Sequence, residues 1–485
     1  MGSLLPLLPI IGAMIGLFSL TMLVPLAFAW VGLDAARHAY DEALLITAGS
    51  GLLLWWSTRR HKRELQPRDG FVLVVLVWTV LPAFAMLPLL LTLPDLSVTD
   101  AYFETMSGLT ASGGTVLAGL DALPQSLNVW RCFLQFVGGL GVIVLAVAVL
   151  PLLGVGGTQL YKAETPGPMK DAKLTPRIAE TARGLWGVYF GLGLACMFAY
   201  RVAGMDWADA FMHMCSTVAL GGFSAYDASF GHWNSPQLEA VAIVFMLLAG
   251  VNFARYFVVW RTRSLWTLLR CVETRSYLLV IFGTTAMITL YLLAHGTYDS
   301  AAAALRHTAF HVVSLATTTG YASTDYAQWP LFAPMMMILL GCFAGCAGST
   351  SGGIKMVRML LLIKQARREL VHIVHPRAVV PVTLGGQNVP AQVLASVIAF
   401  MMVYGVTLAG LTLAMLFSGL DPITAATAVL ASVNNIGPGL GDVGPAVNFR
   451  GLTDFQTWIC TLGMLLGRLE LLSVLVLFTP QFWRK

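Results

Sequence analysis

Four short segments of the sequence resemble one another, and each places a glycine after an apolar run of about 10 to 13 residues, half the length that a membrane crossing needs. They are 110–114 (TASGG), 219–223 (ALGGF), 317–321 (TTTGY) and 434–438 (NNIGP). Their aligned glycines, at positions 113, 222, 320 and 437, lie 109, 98 and 117 residues apart. This period is too long for a solenoid. A ring of four repeats around one axis explains it better, because glycine permits the backbone angles that turn carbonyls toward an ion on that axis.

The composition indicates a membrane protein. Hydrophobic residues make up 57% of the chain and charged residues 11%, and the mean hydropathy is +0.76. A membrane-spanning helix needs ~20 apolar residues, and about ten runs approach or exceed that length. These runs cover residues 3–30, 43–58, 71–94, 128–153, 184–204, 237–260, 277–295, 331–364, 391–419 and 456–482.

The runs and the four segments together predict an all-α polytopic membrane protein. Two leading transmembrane helices are followed by four repeats of helix, short pore helix, filter segment and helix around one central pore. The predicted boundaries are 1–68 for the leading helices and 69–160, 161–270, 271–390 and 391–485 for the four pore repeats. The short apolar runs suit re-entrant helices that cross about half of the membrane.

Basic residues predict the orientation, because cytoplasmic loops carry an excess of Lys and Arg. Clusters of them fall within 59–68, 162–183, 255–275 and 355–377, on the same side of the predicted topology as Arg484 and Lys485. Both termini are therefore expected in the cytoplasm, and the four glycine segments open outward.

Acidic residues follow three of the four glycines. Asp227, Asp325 and Asp442 each come five residues after the aligned glycine, where the first copy has Ala118. An outer ring of carboxylates would raise the local cation concentration. The alternative is that these aspartates cap the next helix, and the sequence leaves both open.

The run 331–364 is too long for one straight crossing, so we expect its helix to break. Unwound backbone is tolerated at membrane depth only where protein or a water-filled cavity satisfies it. A loop beneath the filter is therefore predicted as the gate, with a packed helix kink as the alternative. Its candidate residues are Gly345, Gly348, Ser349, Thr350, Gly352, Gly353 and Lys355.

Arg468 and Glu470 lie near the middle of the last run, where an ionised side chain costs at least ~2.5 kcal/mol without a partner or water. On one continuous helix, residues two apart point in different directions and cannot pair. We expect Arg468 to face the pore below the filter as an electrostatic barrier and Glu470 to bond within the bundle. A buried salt bridge to another helix is the alternative.

The cysteines and the pore-helix histidines are interpreted as packing or hydrogen-bonding residues rather than as metal ligands. The seven cysteines include no Cys-x-x-Cys pair and are interpreted as small hydrophobic residues. His213, His307 and His311 lie on the second and third pore helices and lack companions at metal-ligand spacing, so packing or hydrogen bonding is expected. The sequence contains no nucleotide motif, so control by a nucleotide would require a partner protein.

Two other function classes, an intramembrane aspartyl protease and a secondary carrier, are alternatives to the pore. Gly439–Asp442 has the Gly-x-Gly-Asp pattern of intramembrane aspartyl proteases, and Tyr226 and Asp227 resemble their second motif, so two carboxylates could share a proton. Both patterns fall in outward loops, and Asp325 stays unexplained. A secondary carrier of potassium with sodium or protons is the stronger alternative, although it does not predict four glycine segments in one orientation.

Seven motifs resemble the Trk/Ktr/HKT superfamily of potassium transporters, and the resemblance extends over nearly the whole chain. They are 103–110 (FETMSGLT), 138–141 (GGLG), 216–224 (STVALGGFS), 317–321 (TTTGY), 347–350 (AGST), 434–439 (NNIGPG) and 467–470 (GRLE). The resemblance implies potassium uptake through a channel-like pore in the bacterial inner membrane, not an enzyme. It further implies a homodimer and a cytosolic nucleotide-binding ring protein that gates the pore. No cofactor and no nucleic-acid partner are expected, and potassium is the transported ion.

The resemblance also implies an intramembrane loop at residues like 345–353 and an arginine like Arg468 beneath the filter. Potassium would lose part of its water to the filter, the only metal site expected. The filter residues are Thr110, Ala111, Ser112 and Gly113; Ala219, Leu220, Gly221 and Gly222; Thr317, Thr318, Thr319 and Gly320; and Asn434, Asn435, Ile436 and Gly437.

Overall fold

The computed structural model describes residues 5–61, 66–144, 178–264 and 266–484. Part of the second basic cluster, the residues Lys62 and Arg63, and Lys485 lie outside these ranges. The regular secondary structure of the described chain is helical apart from one antiparallel pair of two-residue strands, β1 (Thr383–Leu384) and β2 (Gln387–Asn388). The all-α architecture predicted from the sequence is confirmed.

The helices follow the predicted order of a leading pair and four repeats. The first member of the leading pair is the apolar stretch Leu5–Gly32, which contains α1 (Leu8–Ser19) and α2 (Leu23–Gly32), and the second is α3 (Arg37–Thr58). The first repeat has α4 (Pro67–Ala85), α5 (Leu87–Thr92), α6 (Val98–Thr110) and α7 (Gln125–Val144). The second has α8 (Ile178–Val202), α9 (Trp207–Ala219), α10 (Pro236–Ala249), α11 (Phe253–Thr262) and α12 (Trp266–Leu269).

The third repeat contains α13 (Val272–Ala294), α14 (Ala301–Ala316), α15 (Phe332–Gly341) and α16 (Met356–Val374). The fourth contains α17 (Ala391–Phe417), α18 (Pro422–Asn434), α19 (Asp454–Arg468), α20 (Leu471–Leu475) and α21 (Pro480–Trp483). The residue boundaries between repeats stay predictions, and the one at 160 lies outside the described ranges.

Five helical stretches in the described chain are long and apolar enough to cross a membrane. They are Leu5–Gly32, Arg68–Thr92, Arg183–Val202, Val272–Ala294 and Ala391–Phe417. Two bent helix pairs raise this number to seven if each pair counts as one span. The pattern is that of a polytopic membrane protein.

The pore helices are α6, α9, α14 and α18, and they are short. Three of them have 13 residues, so each is about 20 Å long against a hydrocarbon core of about 30 Å. Side chains cap three of their first turns: Ser97 accepts from Asp100 N, Asp206 from Asp209 N, and Asp421 from Ile423 N and Thr424 N. Such caps satisfy backbone donors that a helix start leaves free.

Within the described ranges, the helix that follows the filter segment breaks in the second, third and fourth repeats. The chain unwinds between α15 and α16, as the excess length of the run 331–364 predicts. The axes of α10 and α11 differ by 88°, and those of α19 and α20 by 108°. The apolar runs 237–260 and 456–482, which are continuous in the sequence, each contain one of these bends.

The leading helices α1 and α3 pack through glycine. A Cβ on Gly51 would lie 2.5 Å from Gly16 N and 2.8 Å from Gly12 O, and one on Gly12 would lie 2.6 Å from Trp55 N. Small residues let two membrane helices approach this closely, and van der Waals packing then holds them together.

A Gly51→Ala substitution should therefore destabilise the protein by about 1–3 kcal/mol, because the methyl group overpacks the contact between the two backbones. Thermal unfolding in detergent measures the effect. Gly49→Ala on the same helix is the matched control, since a Cβ there meets nothing within 4 Å. Equal melting temperatures for the two variants would contradict the close helix contact.

Candidate ion pathway

The four glycine segments have the same backbone conformation. The residue two before each glycine is left-handed, with φ of 50° at Ala111, 55° at Leu220, 62° at Thr318 and 53° at Asn435. The glycines themselves have φ of 86° at Gly113, 79° at Gly222, 86° at Gly320 and 99° at Gly437. Glycine is favoured at such angles because other L-residues are strained there.

Each segment begins with the same hydrogen bond to its pore helix. The amide of the residue before the glycine donates to the carbonyl five residues earlier, on the last turn of the helix. The bonds are Ser112 N to Ser107 O at 2.9 Å, Gly221 N to Ser216 O at 2.9 Å, Thr319 N to Ser314 O at 2.8 Å and Ile436 N to Ala431 O at 2.9 Å. This pattern satisfies carbonyls that a helix end otherwise leaves free.

The four segments contact one another in a closed ring. Each glycine lies against the carbonyl of the residue that precedes the glycine of the next segment. A Cβ would lie 2.2 Å from Gly221 O at Gly113, 1.9 Å from Thr319 O at Gly222, 2.2 Å from Ile436 O at Gly320, and 3.0 Å from Ser112 O at Gly437. The last contact returns to the first segment, so the ring closes, and the first three leave no room for a side chain.

Side chains reinforce the ring. The hydroxyls of Thr110 and Ser112 lie 2.8 Å apart, as do those of Thr317 and Thr319. Asn435 Nδ2 donates to Ser112 Oγ at 2.6 Å, which joins the fourth segment to the first. All of the predicted filter residues therefore lie in this one ring of segments.

Gln135 on α7 holds the second segment, and it was not among the site residues predicted from the sequence. Its Nε2 donates to Gly221 O at 2.7 Å, and its Oε1 accepts from Phe223 N at 3.1 Å. A Cβ on Gly221 would lie 2.4 Å from the amide carbon. The signal in the sequence was a single glutamine within an apolar run.

A buried ion pair lies beside the first segment and was also missed. Arg131 Nε donates to Glu104 Oε1 at 2.7 Å, and both side chains are at most 1% exposed. Arg131 also donates to Ser224 O at 3.1 Å, and Glu104 accepts from Val116 N at 3.0 Å. The pair thus joins the chain after the first glycine to the chain after the second. Two charges in apolar runs were the available signal.

The loop between α15 and α16 lies against the C-terminal ends of three pore helices. Thr350 Oγ1 donates to Val218 O at 3.1 Å. Gly352 N donates to Thr318 Oγ1 at 2.7 Å, and a Cβ on Gly352 would lie 1.9 Å from Asn434 O. The loop therefore occupies the side of the ring at which the pore helices end.

Tight turns shape this loop. Gly348, Gly353 and Lys355 have φ of 71°, 76° and 77°, and Lys355 Nζ donates to Ser351 O. Ser349 Oγ donates to Cys346 O at 2.6 Å. A Cβ on Gly345 would lie 1.7 Å from Ser351 Oγ. The predicted gate residues therefore share one folded loop rather than a simple kink.

Arg468 ends α19 and is 5% exposed. Its Nη1 donates to Thr350 O in the loop at 2.8 Å, while Nε and Nη2 are buried without a hydrogen-bond partner within the described ranges. No salt bridge to Arg468 occurs in that part of the chain. The guanidinium lies directly against the loop.

Glu470 forms a salt bridge within the bundle to Arg358 on another helix, α16, at 2.8 Å, so for Glu470 the alternative also applies, although its side chain is 26% exposed rather than buried. The premise that Arg468 and Glu470 share one helix is wrong, because the helix ends at Arg468 and Glu470 has φ of 56°. The bend, rather than helical spacing, sends the two side chains in different directions.

The three aspartates of the predicted outer ring have different surroundings. Asp227 accepts from Gly119 N at 2.9 Å and Leu120 N at 3.2 Å, so it joins the second repeat to the first. Asp325 accepts from Ala327 N at 3.1 Å and caps a short 3-10 helix. Asp442 is exposed. Capping accounts for Asp325, and the ring of carboxylates stays a prediction.

The pore-helix histidines are hydrogen-bonded. His213 Nδ1 lies 2.9 Å from Asp209 O, His311 Nδ1 lies 2.8 Å from His307 O, and His307 Nδ1 lies 3.2 Å from Ser323 Oγ. No group of three or more His, Cys, Asp or Glu side chains that could hold a metal ion occurs within the described ranges. All seven cysteines are free thiols.

Comparison with known proteins gives one family across the chain. Residues 39–485 match the family model TrkH, described as a cation transport protein. The chain is 45% identical over 477 residues to the Trk system potassium uptake protein TrkH of Escherichia coli, and the alignment covers 98% of each chain. It is 42% identical to the protein of the same name from Halomonas elongata, with full coverage of both chains.

A solved structure has the same fold. The crystal structure of the potassium transporter TrkH from Vibrio parahaemolyticus superposes with a TM-score of 0.91 at 40% sequence identity and covers 99% of each chain. The family match begins within α3 and includes all four repeats, and the alignments with these relatives cover nearly the whole chain. The chain therefore belongs to the TrkH family of cation transport proteins.

Proposed function

We propose that this protein takes up potassium across the bacterial inner membrane through a channel-like pore. The single observation that supports this most is the closed ring of glycine–carbonyl contacts around four re-entrant segments. Backbone carbonyls in such a ring can replace part of the hydration shell of potassium, and the C-terminal ends of the pore helices favour a cation near the axis. The relatives named above as potassium uptake proteins indicate the ion.

In this proposal the residues from Thr110 to Gly113 and their counterparts in the other repeats form the selectivity filter. No segment has the full Thr-Val-Gly-Tyr-Gly sequence of potassium channels. One main binding site therefore fits better than a row of four. The membrane potential, ~2.3 kcal/mol per charge per 100 mV, then drives potassium inward.

The loop between α15 and α16 is the proposed gate, with Arg468 as an electrostatic barrier beside it. The contacts of Thr350 and Gly352 with three pore helices support this role, since the loop must leave them for ions to pass below the ring. The two charges of Lys355 and Arg468 would repel a cation at this point.

Regulation and assembly follow the family resemblance. The proposal includes a homodimer and a cytosolic nucleotide-binding ring protein that moves the loop. Both termini lie in the cytoplasm, so the basic clusters face this partner and Asp227, Asp325 and Asp442 face the outside.

The test is rubidium flux into liposomes that hold the purified chain, in potassium, sodium and choline salts, with and without the cytosolic partner. Potassium-selective flux is expected. A Gly320→Ser variant should be less selective, because the new side chain would collide with Ile436 O, 2.2 Å from the Cβ position.

Gly296→Ser is the matched control, since Gly296 has φ of 66° in the same repeat but a Cβ there meets nothing within 4 Å. It should keep the wild-type selectivity. Absence of flux even with the partner, or selectivity untouched by Gly320→Ser, would reject the filter and favour a carrier that couples potassium to sodium or protons.

A further inference from the structure

A hydrogen-bond acceptor occupies equivalent places on the four pore helices. The residues nine before the aligned glycines are Glu104, His213, His311 and Ala428. In the fourth repeat Thr427, one residue before the alanine, supplies the acceptor instead. The side chains of Glu104, His213, His311 and Thr427 are at most 1% exposed.

Each acceptor binds the chain just after its own filter glycine. In three repeats the donor is the backbone amide three residues beyond the glycine: Val116 N to Glu104 Oε2 at 3.0 Å, Ser323 N to His311 Nε2 at 3.2 Å, and Leu440 N to Thr427 Oγ1 at 2.9 Å. In the second repeat the partner is a hydroxyl, with Ser224 Oγ 3.0 Å from His213 Nε2. Side chains of three different types thus make the same kind of hydrogen bond to the chain after the glycine in all four repeats.

The partners determine which nitrogen of His311 carries the proton. A carbonyl oxygen only accepts, so Nδ1 beside His307 O is protonated; a peptide N–H only donates, so Nε2 beside Ser323 N is not. His311 is therefore neutral. His213 Nδ1 likewise faces a carbonyl, that of Asp209, which leaves Nε2 to accept the Ser224 hydroxyl proton.

The filter segments are consequently fixed at both ends. The amide before each glycine is bonded to the last turn of the pore helix, and the acceptor holds the chain about three residues later. The glycine of each segment and the carbonyl of the residue before it lie between these two points. Since ion discrimination depends on where such carbonyls lie and how far they can move, the second bond should affect selectivity directly.

We infer that Glu104, His213, His311 and Thr427 are positioning residues for ion selectivity, an inference that rests on the proposed function of the ring as a filter. They act through the chain that they hold, by a backbone amide in three repeats and by the Ser224 hydroxyl in the second, and do not touch the ion. A variant without the acceptor leaves that buried N–H or O–H donor unpaired, and the segment gains freedom to move.

The test uses the full-length protein in liposomes and compares the potassium-to-sodium flux ratio of variants. Thr427→Val keeps the shape of the side chain and removes the acceptor, and His311→Leu does the same for the third repeat. Both should lower the ratio by at least about fivefold while potassium flux continues. His311→Gln, which restores an acceptor, should recover most of the ratio.

Thr407→Val on α17 is the matched control, because in the described part of the chain the Thr407 hydroxyl bonds only Val403 O of its own helix. It should leave the flux ratio unchanged. If His311→Leu fails to fold, the flux ratio of Thr427→Val alone decides whether the acceptors affect selectivity.

Variants that melt at lower temperature but keep the wild-type ratio would overturn the inference, since the acceptors would then only stabilise the fold. A Gln variant as unselective as the Leu variant would overturn it as well. Gly320→Ser in the same assay separates the positioning role of the acceptors from the role of the ring as a filter. If it loses selectivity while the acceptor variants keep it, only the positioning role fails; if none of them changes the ratio, the filter fails too.

Discussion

A Gly352→Ala substitution should raise flux without the cytosolic partner by about tenfold. The new methyl group would lie 1.9 Å from Asn434 O and 3.2 Å from Asn435 Cβ, so the loop must withdraw from the fourth pore helix. Overpacking of this kind costs about 1–3 kcal/mol, and 1.4 kcal/mol shifts an equilibrium by about tenfold. Rubidium flux into liposomes that contain only this chain measures the change.

Gly352 suits this experiment because its φ is not in the left-handed region, so alanine adds a methyl group without backbone strain. Gly405→Ala on α17 is the control, since a Cβ at Gly405 meets nothing within 4 Å. Unchanged or lower flux would show that the loop is not the gate. Higher flux together with a lower potassium-to-sodium ratio would mean that the ring, rather than the loop, had moved.

An Arg131→Met substitution should destabilise the protein by about 3–5 kcal/mol. It leaves the carboxylate of Glu104 buried without its counterion, and removes the bond from Arg131 to Ser224 O. Denaturant unfolding in detergent gives the free energy. The double variant Glu104→Gln/Arg131→Met removes both charges and should recover much of the loss.

Arg368→Met is the surface control for this ion pair. Arg368 and Glu369 are 3.2 Å apart with side chains 26% and 55% exposed, and such pairs contribute at most about 1 kcal/mol. A loss for Arg131→Met no larger than that for Arg368→Met would contradict the importance of the buried pair.

The repeats could be predicted from the sequence because the backbone conformation of each filter segment requires a glycine, and the four glycines are visible in the sequence. A left-handed φ together with a carbonyl too close for a Cβ selects glycine at Gly113, Gly222 and Gly320. The break after α15 was predictable for a similar reason, since a run too long for one crossing contains several glycines. The gate and filter assignments for these residues remain proposals.

The bends after α10 and α19 could not be predicted from hydropathy. Apolar residues continue on both sides of each bend, and hydropathy reports burial in the membrane but not the direction of the chain. The error about Arg468 and Glu470 followed from this, because helical spacing was applied across a helix end. Gly250, which is the C-cap of α10, and Asn252, which caps α11, were local signals of the first bend.

Contacts between repeats were also beyond the sequence. Gln135 and Gly221 are 86 positions apart, and Arg131 and Ser224 are 93 apart. Nothing in the sequence orders the segments around the axis or pairs them. What it does offer is the class of residue to examine: polar or charged side chains inside apolar runs, which are retained in membrane proteins when they have partners.

The closure of the ring has a consequence for biosynthesis. The bond that joins the fourth segment to the first links residues 323 positions apart, from Asn435 to Ser112. A ribosome must therefore translate almost the entire chain before the first segment meets its last neighbour. Until then the membrane holds an open arc of three segments rather than a ring, so a chain cut short during translation lacks the closed ring that is the proposed filter.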